Sequence, residues 1–289
     1  MLLPVTTPFA AADGRLDEAG FRENLRVWRR RPIAGVVVGG STGEAPLLDE
    51  EELLQLVEWA REECGELLVV AGTGFESTRA AVRLSRAVAA SGADAVLVRP
   101  PAYYRDAMTQ GALEAHYGAL ADESPVPILL YNMPRYVPVE LTPEIVRQLL
   151  GHERIAGMKD SSGDLRLLGA LADACDGRGE LLVGSGAALY GGLEVGAVGG
   201  ILAVGLLAPG EACRVYEAWR GGDFGTAGRL QERIGSLHRR VVGQLGVPGI
   251  KHALDLLGLA GGAPRLPLLP LRDAERRRVE EALIKAGIV

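Results

Sequence analysis

The sequence predicts a closed (β/α)8 barrel followed by a C-terminal helical extension. Eight short apolar runs recur along the chain. Helical patterns separate them at spacings of roughly 25–30 residues, as repeated βα units require. After Gly221-Gly222 the strand signal stops, which places the barrel at residues 1–221 and a helical domain at 222–289. Eight such units favour closure over an open doubly wound sheet.

The predicted strands are Leu2 to Val5, Gly35 to Val38, Leu67 to Ala71, Ala95 to Val98, Ile128 to Tyr131, Ile155 to Met158, Leu181 to Val183 and Gly200 to Val204. All are short and apolar on both sides, the signature of strands buried on both faces. Between them, Phe21, Leu25 and Trp28 fall at helical spacing. Asp49 followed by Glu52 resembles a capping box ahead of Leu53 to Val57. Ala80, Leu84, Ala87 and Val88 form another stripe, and Thr142-Pro143 opens a helix with proline in its first turn. The extension reads as helices over Phe224 to Leu245, Gly249 to Leu257 and Arg272 to Ala286, the last two separated by Gly261-Gly262 and three prolines.

Bulk properties narrow the function. The chain has 289 residues, 48% of them hydrophobic, and a net charge of -6. It shows no basic stripe with interleaved aromatics, which argues against a nucleic-acid partner. Arg29 to Arg31 and Arg276 to Arg278 read as solvated helix ends and faces. Cys64, Cys175 and Cys213 are far apart and make no CxxC pair, so neither a disulfide framework nor a zinc site is expected. The N-terminus lacks the basic segment and long apolar run of a signal peptide, so a cytoplasmic location is expected. Ala187 to Ala208 is long enough to span a membrane, yet it contains Glu194 and divides into a helix and a strand. No membrane partner is expected.

In a barrel the active site forms at the C-terminal ends of the strands. Those ends read Gly39-Gly40-Ser41-Thr42-Gly43-Glu44, Arg99 to Tyr104, Tyr131-Asn132-Met133-Pro134-Arg135, Lys159-Asp160-Ser161 and Gly184-Ser185-Gly186. They bring together one amine, several phenols and hydroxyls, and backbone amides exposed by glycine. They bring neither a carboxylate cluster nor a histidine. Lys159 is one of three lysines against 28 arginines. Arginine stays protonated, whereas a neutral lysine amine is a nucleophile. The inventory suits imine chemistry: lysine attacks a ketone, loses water, and the protonated imine draws electrons so that a C–C bond beta to it forms or breaks. A tyrosine bonded to a hydroxyl relays protons, and glycine-exposed amides with hydroxyls hold a carboxylate.

Plain structural roles compete at each position. Tyr131 suits a buried core site, Tyr103 and Tyr104 suit loop packing or a subunit contact, and Ser41-Thr42 suits a turn cap. Gly184 and Gly186 serve a turn as well as a ligand, and Lys251 reads as structural. Gly39 to Gly43 also matches the G-x-S-x-G elbow of α/β-hydrolases. In an elbow, a helix starts directly after the serine; here Pro46 intervenes, and the four histidines fall in helical stretches or at their ends.

Together these segments carry a resemblance. Pro4 to Phe9, Gly40 to Glu44, Tyr131 to Pro134, Gly157 to Asp160 and Gly196 to Gly200 resemble, in this order and over nearly the whole chain, the dihydrodipicolinate synthase and N-acetylneuraminate lyase superfamily of class I pyruvate aldolases. The resemblance implies Lys159 as the Schiff-base lysine and Tyr131 as the proton-passing phenol. It implies Ser41 and Thr42 as the pair that holds the pyruvyl carboxylate and joins the relay. It also implies Tyr104 as a relay tyrosine lent by a neighbouring subunit, and Ile201 as facing bound pyruvate. Ser161 matches a substrate-contacting serine, and Gly184 and Arg135 complete the substrate-binding set. A homotetramer of two tight dimers, and no metal or organic cofactor beyond the imine on Lys159, are implied as well.

The wording departs from the synthases at one point. They carry an arginine two residues after the motif proline; here that place holds Tyr136, and Arg135 sits one residue early. Pro101 to Arg105, Met158 to Ser161 and Gly246 to Lys251 resemble 4-hydroxy-2-oxoglutarate aldolases more closely. The sequence reading therefore puts an aldolase giving pyruvate and glyoxylate first, and dihydrodipicolinate synthase, condensing pyruvate with aspartate semialdehyde, second. A sialate or sugar-acid lyase, a serine hydrolase and a barrel that binds a 2-oxo acid without turnover are the remaining readings.

Overall fold

A computed structural model describes residues 1–10 and 13–289. Eight strands pair in parallel in chain order: β1 (Leu2–Pro4), β2 (Gly35–Val38), β3 (Leu68–Gly72), β4 (Ala95–Val98), β5 (Ile128–Asn132), β6 (Ile155–Asp160), β7 (Glu180–Val183) and β8 (Gly199–Gly200). A bridge between Leu2 and Ile201 brings the sheet round on itself, and Leu202 N donates to Leu2 O at 3.2 Å across this seam. The (β/α)8 barrel with a C-terminal helical segment is therefore present.

The eighth strand differs from its predicted range. Gly200 to Val204 was expected, yet the ladder stops after Ile201 and the chain turns through a 3-10 segment at Ala203–Leu206. The reason lies in β1. The next donor in this parallel seam is the residue two beyond Leu2, which is Pro4, and proline has no N–H.

Helices α1 (Glu18–Trp28), α2 (Glu50–Cys64), α3 (Thr78–Ala90), α4 (Gln110–Glu123), α5 (Pro143–Leu149), α6 (Leu165–Cys175), α7 (Leu189–Glu194) and α8 (Pro209–Arg220) alternate with the strands. Their starts are written locally. Asp49 and Glu52 form the predicted capping box, and Thr142 accepts from Ile145 N ahead of Pro143. The stretch from Ala187 to Ala208 divides among α7, β8 and the 3-10 turn. Among the described residues no helix is long and apolar enough to cross a membrane.

Strand alternation makes two apolar layers. Leu2, Val37, Val70, Leu97, Tyr131 and Ile201 meet in the barrel lumen. Their neighbours Val36, Val38, Val69, Ala71, Val96 and Val98 face outward and join the helices in the larger core. This two-sided burial is why the strands read as unbroken apolar runs. Lys159 has the same strand parity as its register partners Tyr131 and Leu182, so its side chain enters the lumen from β6.

The chain continues through α9 (Phe224–Leu237), a π-helical turn at His238–Gly243, α10 (Gln244–Leu256) and α11 (Asp273–Lys285). Gly246 kinks α10 at φ 60°, between the two helices predicted there. The wide turn and the kink lay this segment across the C-terminal rim of the barrel, where π turns often accompany functional sites.

Candidate active site

A cleft opens at the C-terminal ends of the strands, lined by Ser41, Thr42, Tyr131, Lys159, Ser161, Gly184 and Ile201 among others. Its volume of about 120 Å³ suits a small metabolite; drug-sized and cofactor sites run to about 300–1,000 Å³. Lys159 is 5% exposed, and its Nζ lies 4.4 Å from the centre of the Tyr131 ring. The Tyr131 hydroxyl shares a 3.3 Å hydrogen bond with Ser41 Oγ. Register explains the first contact, because Tyr131 and Lys159 are partners across β5 and β6.

Two buried lysines allow a direct comparison. Lys251 is fully buried, and its ammonium donates to Glu44 Oε1 at 2.6 Å, Thr7 O at 2.8 Å and Ala263 O at 2.9 Å. All three of its N–H groups are used, and Phe9 covers its charge at 4.5 Å. Burial pushes the Lys251 ammonium toward deprotonation, and Glu44 opposes it. Lys159 makes no hydrogen bond or ion pair among the described residues. Of the two amines, only Lys159 lines the cleft, and it has no partner among the described residues.

The strand-end glycines set the shape beside it. A methyl added at Gly184 would collide with Ser161 Oγ, so the β7 end must be glycine for the serine hydroxyl to lie against it. Asp160, beside Lys159 but on the opposite strand parity, accepts from Ser162 N at 3.0 Å and ties down the loop that carries Ser161. Its carboxyl is raised above the usual range by burial.

The other sequence-predicted residues divide. Thr42 lines the cleft, but the contact to Tyr131 comes from Ser41. Ile201 is wholly buried at the floor. Arg135 reaches the rim, where its guanidinium donates to Gly243 O and stacks 5.5 Å from the Tyr136 ring. Tyr104 is not in this cleft. It is 72% exposed and packs edge-on against Tyr103, with ring centres 5.1 Å apart.

The strand ends do not supply all of the lining. The C-terminal segment adds His238, Val242, Gly246, Val247 and Ile250. The expectation of a site without histidine is corrected here: His238 is helical, as read, but its helix crosses the rim. Its Nε2 lies 3.4 Å from Ser185 Oγ. The Leu237-His238 pair sits in an apolar helical pattern, and nothing local in it signals a cleft residue. The serine-hydrolase elbow is absent, since a 3-10 turn follows Ser41 and its side-chain partner is Tyr131 rather than a histidine. Among the described residues, no three His, Cys, Asp or Glu side chains gather as a metal site.

Burial lowers His238 and His116 to about 4, in each case chiefly by desolvation. Both are therefore neutral when folded and gain protons on unfolding between pH 4 and 6.5, so their contribution favours the fold above that window and is lost as pH falls through it. Two histidines add on the order of 2 kcal/mol each to the loss at pH 5. Urea denaturation at pH 7 and pH 5 should show this fall, and H116N, which removes one titration, should flatten it. Asp160, raised by burial, works in the opposite sense. A stability that does not decline toward pH 5 would contradict the assignment.

A parallel barrel with a lysine that makes no polar contact among the described residues, beside a tyrosine–serine pair, fits a Schiff-base carbon–carbon lyase. The comparisons agree. The model of the dihydrodipicolinate synthetase family matches residues 1–286, and the chain belongs to that family. It is 35% identical over 282 residues to the 4-hydroxy-tetrahydrodipicolinate synthase of Methanothrix thermoacetophila, covering 97% of this chain and 94% of that one. It is 34% identical over 279 residues to the enzyme of the same name from Gluconacetobacter diazotrophicus, covering 96% and 93%. The crystal structure of chloride-inhibited dihydrodipicolinate synthase from Acinetobacter baumannii, complexed with pyruvate, superposes with a TM-score of 0.94 at 31% identity, covering 100% of this chain and 98% of that chain.

Proposed function

We propose that this chain is a 4-hydroxy-tetrahydrodipicolinate synthase that condenses pyruvate with aspartate semialdehyde. The unpaired Lys159 amine against Tyr131 and Ser41 supports the chemistry. Near-full-length identity to enzymes of that name supports the substrate pair. The order of the two leading sequence readings is thereby reversed: the aldolase giving glyoxylate rested on local wording around Pro101, Met158 and Gly246, whereas the relatives match across the chain.

In this reading the Lys159 amine attacks C2 of pyruvate, and the carbinolamine loses water to give an iminium. Loss of a C3 proton gives the enamine. Its C3 attacks the aldehyde carbon, the new oxygen takes a proton, and the partner's amino group then attacks the iminium carbon and releases Lys159. Tyr131 carries protons to and from the substrate, with Ser41 as its observed partner and Thr42 beside it. Ser41, Thr42 and the amide at Gly184 hold the pyruvyl carboxylate, Ser161 contacts substrate, Ile201 floors the pocket, and no organic cofactor enters. Tyr104 is exposed, as a residue lent to a second copy's relay must be, which is the reason to expect an oligomer, a tetramer of two dimers. A cytoplasmic location and a barrel–extension boundary near residue 221 belong to the same proposal.

A turnover panel tests it. With pyruvate, aspartate semialdehyde should give a kcat/KM at least tenfold above that for cleavage of 4-hydroxy-2-oxoglutarate or sialate, about 1.4 kcal/mol of transition-state preference. The opposite order would restore the aldolase reading.

A further inference from the structure

Tyr104 lies outside the cleft of its own barrel, and in the synthase reading it serves the relay of a second copy. The loop after β4 must then hold Tyr104 in one direction without help from that cleft. It begins Arg99-Pro100-Pro101. Neither proline has an N–H, so the first free backbone donors after Arg99 belong to Ala102 and Tyr103. Both donate to one atom. Glu76 Oε2 accepts from Ala102 N at 2.8 Å and from Tyr103 N at 2.9 Å. Its other oxygen accepts from Arg99 Nη1 at 2.8 Å, and the same nitrogen donates to Pro100 O at 3.0 Å. A single carboxylate from the loop between β3 and α3 thus clamps the chain from Arg99 to Tyr103.

The clamp is itself held from both sides. A methyl at Gly74 would lie 2.4 Å from Arg99 Cγ and 2.8 Å from Arg99 N, so only glycine lets the β3 loop lie this close to the β4 loop. Two residues beyond Glu76, Thr78 Oγ1 shares a 2.8 Å hydrogen bond with Nδ1 of His116, which is buried on α4. Past Tyr104 the chain is fixed again, by Ala107 N donating to Tyr104 O at 2.9 Å in a 3-10 turn. Tyr104 therefore projects from between two fastened points. Resting on the synthase reading, we propose that Glu76 is a positioning residue for the proton relay: by clamping the backbone at Ala102 and Tyr103 it sets the direction in which Tyr104 is presented to the second copy.

The amides matter more here than the ion pair. An exposed arginine–carboxylate contact alone contributes little. Bonds from two backbone N–H groups to an ionised carboxylate are charge-assisted and directional. Partial burial pushes the Glu76 carboxyl up, but the amides of Tyr103 and Ala102 with the Arg99 guanidinium outweigh it and hold the group below the usual carboxylate range. The ionised form is the one that binds the loop. Without it, both amides turn to water and the direction of Tyr104 is no longer fixed.

The test is a double-mutant cycle read by exchange of the pyruvate methyl protons in D2O at saturating pyruvate, which needs the imine and the relay but no aldehyde. Y104F should slow exchange by at least about tenfold, as loss of an acid–base group does. E76A should slow it by about five- to tenfold, and E76Q, which keeps an oxygen for both amides, should retain about half the wild-type rate or more. E76A/Y104F should fall within about twofold of Y104F alone, because Glu76 acts through Tyr104. An E76A enzyme that matches the wild type, or one that slows Y104F by the same factor as it slows the wild type, would overturn the positioning role. So would an E76A enzyme that loses the assembly found for the wild type by sedimentation, since Glu76 would then hold an interface rather than aim a side chain. Failure of the underlying reading looks different: Y104F exchanging as fast as the wild type sinks the lent relay, and no exchange in the wild type sinks the lyase chemistry beneath it.

Discussion

Replacing Lys159 with arginine should abolish turnover while the protein still folds. Loss of a covalent nucleophile typically removes about four to six orders of magnitude from kcat. Arginine keeps the positive charge and much of the packing, but it does not form an imine under these conditions. The lumen around this position holds Tyr131 and Leu182, and the cleft above offers room for the longer side chain. The expected result is a Tm within a few degrees of the wild type and no detectable condensation. A K159R enzyme with more than about one per cent of wild-type kcat would show that the amine is not the nucleophile.

Lys251 should respond in the opposite way, losing stability first. Its ammonium joins Glu44 from the β2 loop, Thr7 from the segment after β1 and Ala263 from the chain beyond α10. Glu44 is itself 2% exposed, and its second oxygen accepts from Arg265 N at 2.8 Å. Arg265 extends the clamp through Leu47 O and both oxygens of Glu52. K251M leaves the Glu44 carboxylate buried without its main counter-charge, which costs about 3–5 kcal/mol when one partner of a buried pair is removed. The double variant K251M/E44Q should recover a large part of that loss, because it removes the stranded charge. Equilibrium denaturation of the four proteins checks this. If K251M costs less than about 1 kcal/mol, the pair is not holding the C-terminal segment to the barrel.

The sequence made the barrel legible because strands buried on both faces print as continuous apolar runs, as Val36-Val37-Val38 and Val69-Val70-Ala71 do. The eighth strand was less legible. Its end is decided by a proline on the strand it pairs with, and that partner lies nearly 200 residues away in the chain. Lys159, Tyr131, Ser41 and Gly184 were readable as cleft-lining positions because barrel geometry sends every strand end to one rim. His238 was not, since it reaches that rim on a helix whose path depends on the π turn and on the φ of Gly246. Lys251 was readable only as far as its helical setting. Its three acceptors come from segments that no periodicity connects.

The unpaired amine of Lys159 carries the whole functional account. Reduction with borohydride in the presence of pyruvate, followed by peptide mass spectrometry, examines it directly. A single stable adduct of a reduced pyruvyl group is expected on Lys159, absent without pyruvate and absent from K159R. An unmodified Lys159, or an adduct on Lys251 or Lys285 instead, would contradict it.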